Sequence, residues 1–180
     1  GGIGTFAIQL AKQLGAKVGT TTSTSNVDLV RSLGADEVVD YTKQEFETVL
    51  RDYDAVLGTV RGDSIEKSIG ILRPRGKIVS LIGPLDVAFA RARKANVVLK
   101  VVFALMSLKI KRLAKKQGVD YSFLFARPDG DQLAQIGKLL DTQHIRPVID
   151  RVFPFEQAKE ALDYLAQGRA KGKVVVQMRP

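Results

Sequence analysis

The sequence contains no cysteine, a single histidine and no long run of uncharged apolar residues. Without cysteine, the chain can form neither a disulfide framework nor a thiolate metal site. A zinc site would need carboxylates almost alone, because His144 is the only imidazole, and zinc seldom accepts such ligands. No segment reaches the roughly 18 apolar residues of a membrane span, and no signal peptide is recognisable. These absences predict an intracellular protein without a metal site.

Residues 91–116 contain no acidic residue. The number of basic residues in this segment equals the net positive charge of the whole chain. The nine basic residues of this segment are Arg91, Arg93, Lys94, Lys100, Lys109, Lys111, Arg112, Lys115 and Lys116. The chain carries a net charge of +9, so the remaining residues are neutral as a group. The protein therefore has one basic segment rather than a uniformly basic composition.

The basic segment also has a helical pattern, predicted over residues 93–116. Its apolar residues on one face are Val98, Val101, Val102, Leu105 and Leu108. Such a helix could bind RNA through phosphates or lie on an anionic membrane. We favour a third interpretation, in which the apolar face packs on the core and the lysines face water.

Strand and helix patterns alternate along most of the chain. Helices are predicted over residues 3–14, 26–33, 44–50, 64–72, 93–116, 131–141 and 155–167. Strands are predicted over residues 17–22, 37–40, 54–59, 77–82, 121–125, 147–152 and 173–177. Short glycine-containing connections between them are typical of βαβ units. The sequence therefore predicts an α/β fold with a doubly wound parallel sheet, as one domain over residues 1–180.

The chain opens with GGIGTFAIQLAKQLGAKV, a glycine-rich turn followed at once by a helix. Such turns cradle a pyrophosphate, because glycine admits a close approach and the helix N–H groups face the negative charge. In a G-x-G-x-x-G motif, Gly1 and Gly4 would be the second and third glycines. We expect the first glycine and the first, central strand of the sheet to be missing from this chain. A tight helix-entry turn without a ligand is the alternative.

The stretch TTTSTSN, residues 20–26, lies about 20 residues after the glycines, where dinucleotide-binding units read the adenosine ribose. An NAD site usually has an acidic residue there, which would repel a 2′-phosphate. Here Ser23 and its neighbours offer hydroxyl donors instead, which predicts NADPH rather than NADH. The alternative is that these hydroxyls only cap the helix at Asn26.

Four stretches resemble the medium-chain dehydrogenase/reductase superfamily, in its zinc-free quinone oxidoreductase branch. They are GGIGTFAIQLAKQLGAKV, LVRSLGADEVVDY, LRPRGKIVSLIG and HIRPVIDRVFPFEQAKEALDYLAQGRAKGKVVV. DYSFLFARPDGDQL, with the basic helix before it, is most similar to the reticulon-interacting mitochondrial oxidoreductases and their bacterial relatives. The resemblance covers nearly the whole chain. It implies the NADP-binding Rossmann domain of a two-domain enzyme whose catalytic domain is absent here.

Carried over by position, the resemblance implies a set of cofactor contacts. Gly1, Gly2 and Ile3 would contact the pyrophosphate, and Ser23 the 2′-phosphate. The other implied contacts are Tyr41 near the 2′-phosphate, Thr59 beside the adenine or ribose, Leu81, Phe123 and Phe125 at the nicotinamide, and Arg169, Ala170 and Lys171 at the domain junction.

The chain departs from the family pattern around the 2′-phosphate. Asn26 stands where several quinone oxidoreductases have a lysine, so the NADPH preference would rest on Ser23, Tyr41 and Lys43. Arg61, in GTVRG, is either a second phosphate contact or a solvated arginine, and we favour the latter. No Y-x-x-x-K pair or Ser-His-Asp set is present, so no catalytic acid or base is assigned.

The resemblance implies a metal-independent enzyme that uses NADPH to reduce a quinone or conjugated carbonyl, with this part inactive alone. It also implies a homodimer through strand 121–126. We expect a cytoplasmic protein, or a mitochondrial one in a eukaryote. The alternative is a nucleotide-binding module that acts mainly on RNA or a membrane surface through the basic helix 91–116, although we do not expect nucleic acid as a partner.

Overall fold

The computed structural model describes residues 1–60 and 62–179. The helices in chain order are α1 (Gly2–Gln13), α2 (Val27–Ser32), α3 (Phe46–Val49), α4 (Ser64–Ile69), α5 (Val87–Ala92), α6 (Val97–Lys116), α7 (Gly130–Asp141) and α8 (Ala158–Ala166). The strands are β1 (Gly19–Thr22), β2 (Glu37–Asp40), β3 (Tyr53–Gly58), β4 (Leu72–Ser80), β5 (Asp120–Phe123), β6 (Ile149–Pro154) and β7 (Lys173–Gln177). Short 3₁₀ helices, Thr24–Asn26 and Phe155–Gln157, precede α2 and α8.

The chain divides into two compact units. Unit 1 comprises Gly1–Gln44 and Asp129–Pro180, and unit 2 comprises Glu45–Pro128. Unit 1 contains two parallel pairs, β1-β2 and β6-β7, and unit 2 contains the parallel sheet β3-β4-β5. Each parallel pair has a helix in its connection, as parallel strands require. The assignment of residues 1–180 to one domain stays a prediction.

Each unit has its own apolar core. In unit 1, α1 and α2 pack on the β1-β2 pair through the buried cluster Ile8, Val18, Val30 and Ala35. In unit 2, α4 and α6 cover the sheet through Ile65, Ile69, Ile78, Ile110, Ala114, Val119 and Tyr121. No helix in the described ranges is both long and apolar enough to cross a lipid bilayer.

Two strands have the bounds that the sequence predicts, β2 and β7, and most other elements lie within a few residues of prediction. The main error before the basic segment concerns β4, which begins at Leu72 rather than at residue 77. The helix predicted over residues 64–72 ends at Ile69 instead. The RPRG turn lies inside the strand, where Arg75 takes a left-handed backbone conformation (φ 68°) and the register with β3 shifts.

The long helix predicted over residues 93–116 corresponds to α6, which begins at Val97, and an additional helix, α5, precedes it outside the predicted range. Asp86 caps α5 by accepting from the Phe89 N–H at 2.9 Å, and Asn96 caps α6 by accepting from the Leu99 N–H at 2.9 Å. Lys94 lies between them with φ of 51°. Because side-chain caps fix where each helix begins, the predicted start at residue 93 is wrong, whereas the predicted end at residue 116 is confirmed.

The apolar face predicted to pack on the core is exposed. Val98 retains 69% of its surface and Leu105 retains 65%, whereas the residues of α6 that are buried are Ser107, Ile110 and Ala114. The favoured interpretation of this face is therefore wrong for the described structure. The opposite side of α6 packs in the core of unit 2 instead.

Asp86 holds α5 and α6 together. Its carboxylate is almost fully buried, caps α5 and accepts from Lys111 Nζ of α6 at 2.9 Å. We expect Asp86→Ala to reduce the free energy of unfolding by about 2–3 kcal/mol, because a cap and a buried ion pair are lost together. Urea denaturation followed by circular dichroism measures this loss.

The matched control for Asp86 is Asp129, which caps α7 on an exposed surface by accepting from the Gln132 N–H at 3.0 Å. Asp129→Ala removes a cap alone and should reduce the stability by about 1 kcal/mol. Equal losses for the two variants would show that the pairing of Asp86 with Lys111 contributes nothing.

Candidate nucleotide-binding site

The glycine turn begins helix α1 with free N–H groups. Gly1 is the N-cap, and the first helical hydrogen bond runs from the Thr5 N–H to the Gly1 carbonyl at 3.1 Å. The N–H groups of Gly2, Ile3 and Gly4 have no acceptor among the described residues, and the first turn contains no acidic side chain. The start of this helix can therefore receive an anion, because its N–H groups and its dipole both favour negative charge.

The segment before β7 lies beside this turn. A Cβ atom placed on Gly1 would lie 3.4 Å from the Ala170 carbonyl oxygen, and one placed on Gly2 would lie 3.1 Å from Lys173 Nζ. Unit 1 thus brings together Gly1, Gly2 and Ala170, all predicted as site residues. It adds the ammonium of Lys173, which the sequence analysis missed.

Lys173 is held in place by the backbone. Its N–H donates to the Val148 carbonyl at 2.6 Å, and a side chain on Gly172 would collide with the same peptide group. Arg169 and Lys171, which were predicted as cofactor contacts, are exposed and form no hydrogen bond or ion pair with the described residues. Their proposed role stays a prediction.

The loop after β1 places Ser23 next to Tyr41. Thr22 pairs with Asp40 across the two strands, and the Tyr41 N–H donates to the Thr22 carbonyl at 3.0 Å. Ser23 and Tyr41 therefore follow the same pair of strand ends. Tyr41 is 62% exposed, so its ring is available to a ligand at this edge.

Asn26 leaves a polar atom unsatisfied in the same loop. Its Nδ2 donates to Ser23 Oγ at 3.2 Å, whereas its Oδ1 is buried without a hydrogen-bond partner. An unpaired buried acceptor costs about 1–3 kcal/mol, so the loop would be stabilised by a ligand or water that donates there. The hydroxyl groups of a ribose are donors of this kind.

Asp40 joins the loops after β1 and β2. It accepts from Thr24 Oγ1 at 2.6 Å and from the side chain and backbone of Thr42 at 2.7 and 3.0 Å. These hydrogen bonds, led by the one from Thr24, lower its pKa from 3.8 to about 2. Lys43 Nζ lies 3.6 Å from the same carboxylate. Asp40 therefore holds the loop that contains Ser23 in place through Thr24, and its carboxylate attracts the ammonium group of Lys43.

In unit 2, Thr59, Leu81 and Phe123 meet at the carboxyl ends of three parallel strands. Gly58 pairs with Ser80, and Ser80 pairs with Phe123. The Leu81 N–H donates to the Gly58 carbonyl at 2.9 Å. Ligands of open parallel sheets bind at this edge. The assignment of Thr59 to the adenine or ribose, and of Leu81 and Phe123 to the nicotinamide, stays a prediction.

Aromatic rings extend this edge. The Phe89 ring centroid lies 5.4 Å from that of Phe123, edge to face, and 5.8 Å from that of Phe125. The guanidinium of Arg93 lies 4.4 Å from the centroid of Phe125. Phe125 is still 51% exposed. Sequence reasoning missed Phe89 and Arg93 because it missed α5, although Asp86, three residues before Phe89, is a capping signal.

The turn that carries Leu81 is tightly packed. Ser80 Oγ accepts from the Gly83 N–H at 2.7 Å, and the Tyr121 hydroxyl donates to the Pro84 carbonyl at 2.9 Å. Burial raises the pKa of Tyr121, which keeps this hydroxyl protonated as a donor. Beside the turn, a cleft of about 500 Å³ has Ile65, Glu66 and Ile82 in its lining.

Two further predictions concern charge and metals. Arg61 lies outside the described residues, so its interpretation stays open. Within residues 1–60 and 62–179, no group of three or more histidine, aspartate or glutamate side chains is placed to hold a metal ion.

Comparison with known proteins identifies relatives over almost the whole chain. The family model described as zinc-binding dehydrogenase matches residues 33–176. The mitochondrial NAD(P)H oxidoreductase RTN4IP1 of Danio rerio is 37% identical over 181 residues, which cover 98% of this chain and 46% of that protein. The chloroplastic NADPH-dependent alkenal/one oxidoreductase of Arabidopsis thaliana is 31% identical, over 98% of this chain and 38% of its own length. The chain thus spans about half the length of these curated relatives, or less.

A solved structure is also similar to this chain over almost its whole length. The quinone oxidoreductase of Coxiella burnetii superposes with a TM-score of 0.78 and 29% identity, over 99% of this chain and 50% of that one. Together with the parallel sheets described above, this similarity confirms the predicted α/β fold of the Rossmann type.

Proposed function

The chain belongs to the zinc-binding dehydrogenase family, and from that membership we propose that it forms the NADP(H)-binding half of a longer oxidoreductase. The resemblance to medium-chain dehydrogenases/reductases is confirmed by the family model and by the relatives. The observation that carries the proposal is the start of α1, where three N–H groups have no acceptor among the described residues and a Cβ atom on Gly2 would lie 3.1 Å from Lys173 Nζ. A pyrophosphate satisfies both the N–H groups and the cation.

We propose that the cofactor is NADPH and that the acceptor is a quinone or a conjugated carbonyl. Relatives named as an NAD(P)H oxidoreductase, an alkenal/one oxidoreductase and a 2-methylene-furan-3-one reductase support this substrate class. The reduced nicotinamide would supply the hydride when bound. Leu81, Phe123 and Phe125 would provide an apolar wall for that ring, and no proton donor is assigned to this chain.

The preference for NADPH rests on the Ser23 loop. Residues 20–26 contain no carboxylate, and the nearby Asp40 is only 8% exposed and has its oxygens occupied by Thr24 and Thr42. A 2′-phosphate at Ser23 would therefore meet hydroxyl donors and the ring of Tyr41 rather than an exposed negative charge. A ribose with a free 2′-hydroxyl would lack the carboxylate that usually accepts from it.

Ser23→Asp tests this assignment. The introduced carboxylate should weaken NADPH binding about tenfold or more, which corresponds to about 1.4 kcal/mol, because it repels the 2′-phosphate. NADH has no such phosphate, so its affinity should change by less than about twofold. Titration of the intact protein with each nucleotide, followed by nicotinamide fluorescence, measures both affinities.

Ser32→Asp, an identical change on the exposed surface of α2, is the control and should alter neither affinity. Equal weakening of NADPH and NADH by Ser23→Asp would disprove the placement of the 2′-phosphate. If the unmodified protein binds neither nucleotide, the proposed function itself fails.

We also propose a homodimer through residues 121–126, metal-independent chemistry and a cytoplasmic or mitochondrial location. The dimer is supported by β5, which is the edge strand of the β3-β4-β5 sheet and is followed by the exposed Leu124 and Phe125. The mitochondrial alternative is supported by the name of the RTN4IP1 relatives.

A further inference from the structure

The solvent-facing side of α6 changes character along its length. Over its first twelve residues this side is apolar, and its exposed members are Val97, Val98, Val101, Val102, Leu105 and Leu108. Arg112 and Lys116 continue the same helical face about two and three turns beyond Leu105, and both are exposed. The result is an apolar stripe about 18 Å long, which ends in a cationic patch. We refer to residues 97–116 on this side as the α6 face.

A stripe of this kind is unusual on a surface that remains in water. Val98 and Leu105 are 69% and 65% exposed, although each belongs to a side-chain type that is usually buried. Contiguous exposed apolar patches mark interaction sites. Because Ile110 and Ala114 on the opposite side of α6 pack in the core of unit 2, only one side of the helix is free to meet a partner.

The charge around the α6 face is positive and largely uncompensated. Residues 87–119 contain no aspartate or glutamate. Two of the nine cations of residues 91–116 are paired, Lys109 with Glu66 at 3.0 Å and Lys111 with Asp86 at 2.9 Å. The other seven form no ion pair with residues in the described ranges, and they are Arg91, Arg93, Lys94, Lys100, Arg112, Lys115 and Lys116. Six of these seven cations lie before or after the residues of the apolar stripe, and Lys100 lies within their range.

We propose that the α6 face docks on the surface of an anionic lipid bilayer. The apolar stripe would enter the boundary between head groups and acyl chains, with α6 lying parallel to the membrane plane. Arginine and lysine at both ends would meet the lipid phosphates, since their long side chains can keep the charge at the surface while the stem follows the apolar layer.

The charge pattern also argues against a second copy of the chain or a single-stranded RNA as the partner of the α6 face. A second copy of the chain would bring the same unpaired cations to the contact without carboxylates from residues 87–119 to neutralise them. A single-stranded RNA would pair with the cations but would leave Val98, Val101 and Leu105 without an apolar partner. An anionic bilayer offers an apolar layer to the stripe and lipid phosphates to the cations.

Residues 1–180 contain no tryptophan, so one introduced tryptophan is the only indole in this chain and allows a direct test. Leu105→Trp places the reporter in the middle of the α6 face. Leu162→Trp, on α8 of unit 1, is the matched control, since Leu162 is 68% exposed. The probes are vesicles of phosphatidylcholine alone and of phosphatidylcholine with phosphatidylglycerol, in separate samples.

Anionic vesicles should shift the emission of the Leu105→Trp protein to shorter wavelength, and brominated acyl chains should quench it. The Leu162→Trp protein should show neither effect. In this reporter, Arg112→Gln with Lys116→Gln should weaken binding to anionic vesicles about tenfold, because two charges no longer meet the lipid phosphates. Val98→Ser with Val101→Ser should weaken it by a similar factor, because less apolar area is buried.

Several results would overturn the proposal. They are an unchanged emission on addition of anionic vesicles, an equal response to neutral vesicles, and an equal response of the Leu162 reporter. A blue shift that grows with protein concentration in the absence of lipid would show that a second copy covers the face. A response to single-stranded RNA but not to vesicles would assign the face to nucleic acid. None of these outcomes depends on NADPH binding, so the proposed function is tested separately.

Discussion

Gly83→Ala is expected to reduce the free energy of unfolding by about 2–3 kcal/mol, because the added methyl group has no space. A Cβ atom at Gly83 would lie 2.6 Å from Ser80 Oγ and 2.7 Å from Ile65 Cδ1. Both side chains are buried, so neither can move aside into solvent. The variant should also weaken cofactor binding, since Leu81 belongs to the same turn. Urea denaturation measures the first effect and nucleotide titration the second.

The same substitution at Gly137 provides the control. Gly137 lies within α7, and no atom is within 4 Å of the position that its Cβ would take. Gly137→Ala should leave the stability unchanged or raise it by up to about 1 kcal/mol, because alanine favours the helix. If Gly83→Ala were as stable as Gly137→Ala, the turn would be looser than the structure indicates.

Gly2→Val is expected to weaken the binding of NADPH and NADH about 100-fold, or about 2.7 kcal/mol, if α1 begins at the pyrophosphate. The valine methyl groups would occupy the space between the free N–H groups of the turn and Lys173 Nζ. A phosphate could then approach neither. Both nucleotides carry the pyrophosphate, so both should lose affinity equally, in contrast to the selective effect of Ser23→Asp.

Gly130→Val is the matched control for Gly2, since Gly130 is also the first residue of a twelve-residue helix and has open space around its Cβ position. It should bind both nucleotides normally. Thermal melts of the two variants separate a loss of binding from a loss of folding. Normal affinity in Gly2→Val would move the pyrophosphate away from the start of α1.

The order of elements could be predicted because local patterns determine most of it. Short runs rich in β-branched residues predict strands such as β2 and β7 to the residue. The separate helix α5 and the start of α6 at Val97 could not be read from periodicity, because the residues around Lys94 are compatible with a helix. They depend on the capping side chains of Asp86 and Asn96 and on one left-handed residue. Periodicity identifies an apolar face, but it does not say what covers that face, which is why the exposure of the α6 face was missed.

The candidate site also contains residues that could be predicted from the sequence and residues that could not. Ser23, Tyr41, Thr59 and Leu81 could be placed near strand ends from the sequence, because each lies at or just after the end of a predicted strand and parallel strands end at a common edge. Lys173 could not, since its proximity to Gly2 joins opposite ends of the chain. Asp40 was missed because its importance comes from Thr24 and Thr42, which only the fold brings to its oxygens.

Unit 1 consists of two stretches that are far apart in the chain, and this affects the order in which the two units can fold during synthesis. Unit 2 is continuous along the chain, and the ribosome has made all of its residues once Pro128 is added. Unit 1 needs both ends, as the Gln9 side chain illustrates by donating to and accepting from the backbone of Arg146, at 2.9 Å each. Since domains fold as their residues become available, the glycine turn cannot be brought together with Lys173 until the chain has been made as far as β7. The residues of unit 2 are therefore complete before those of unit 1, and unit 2 can begin to fold first.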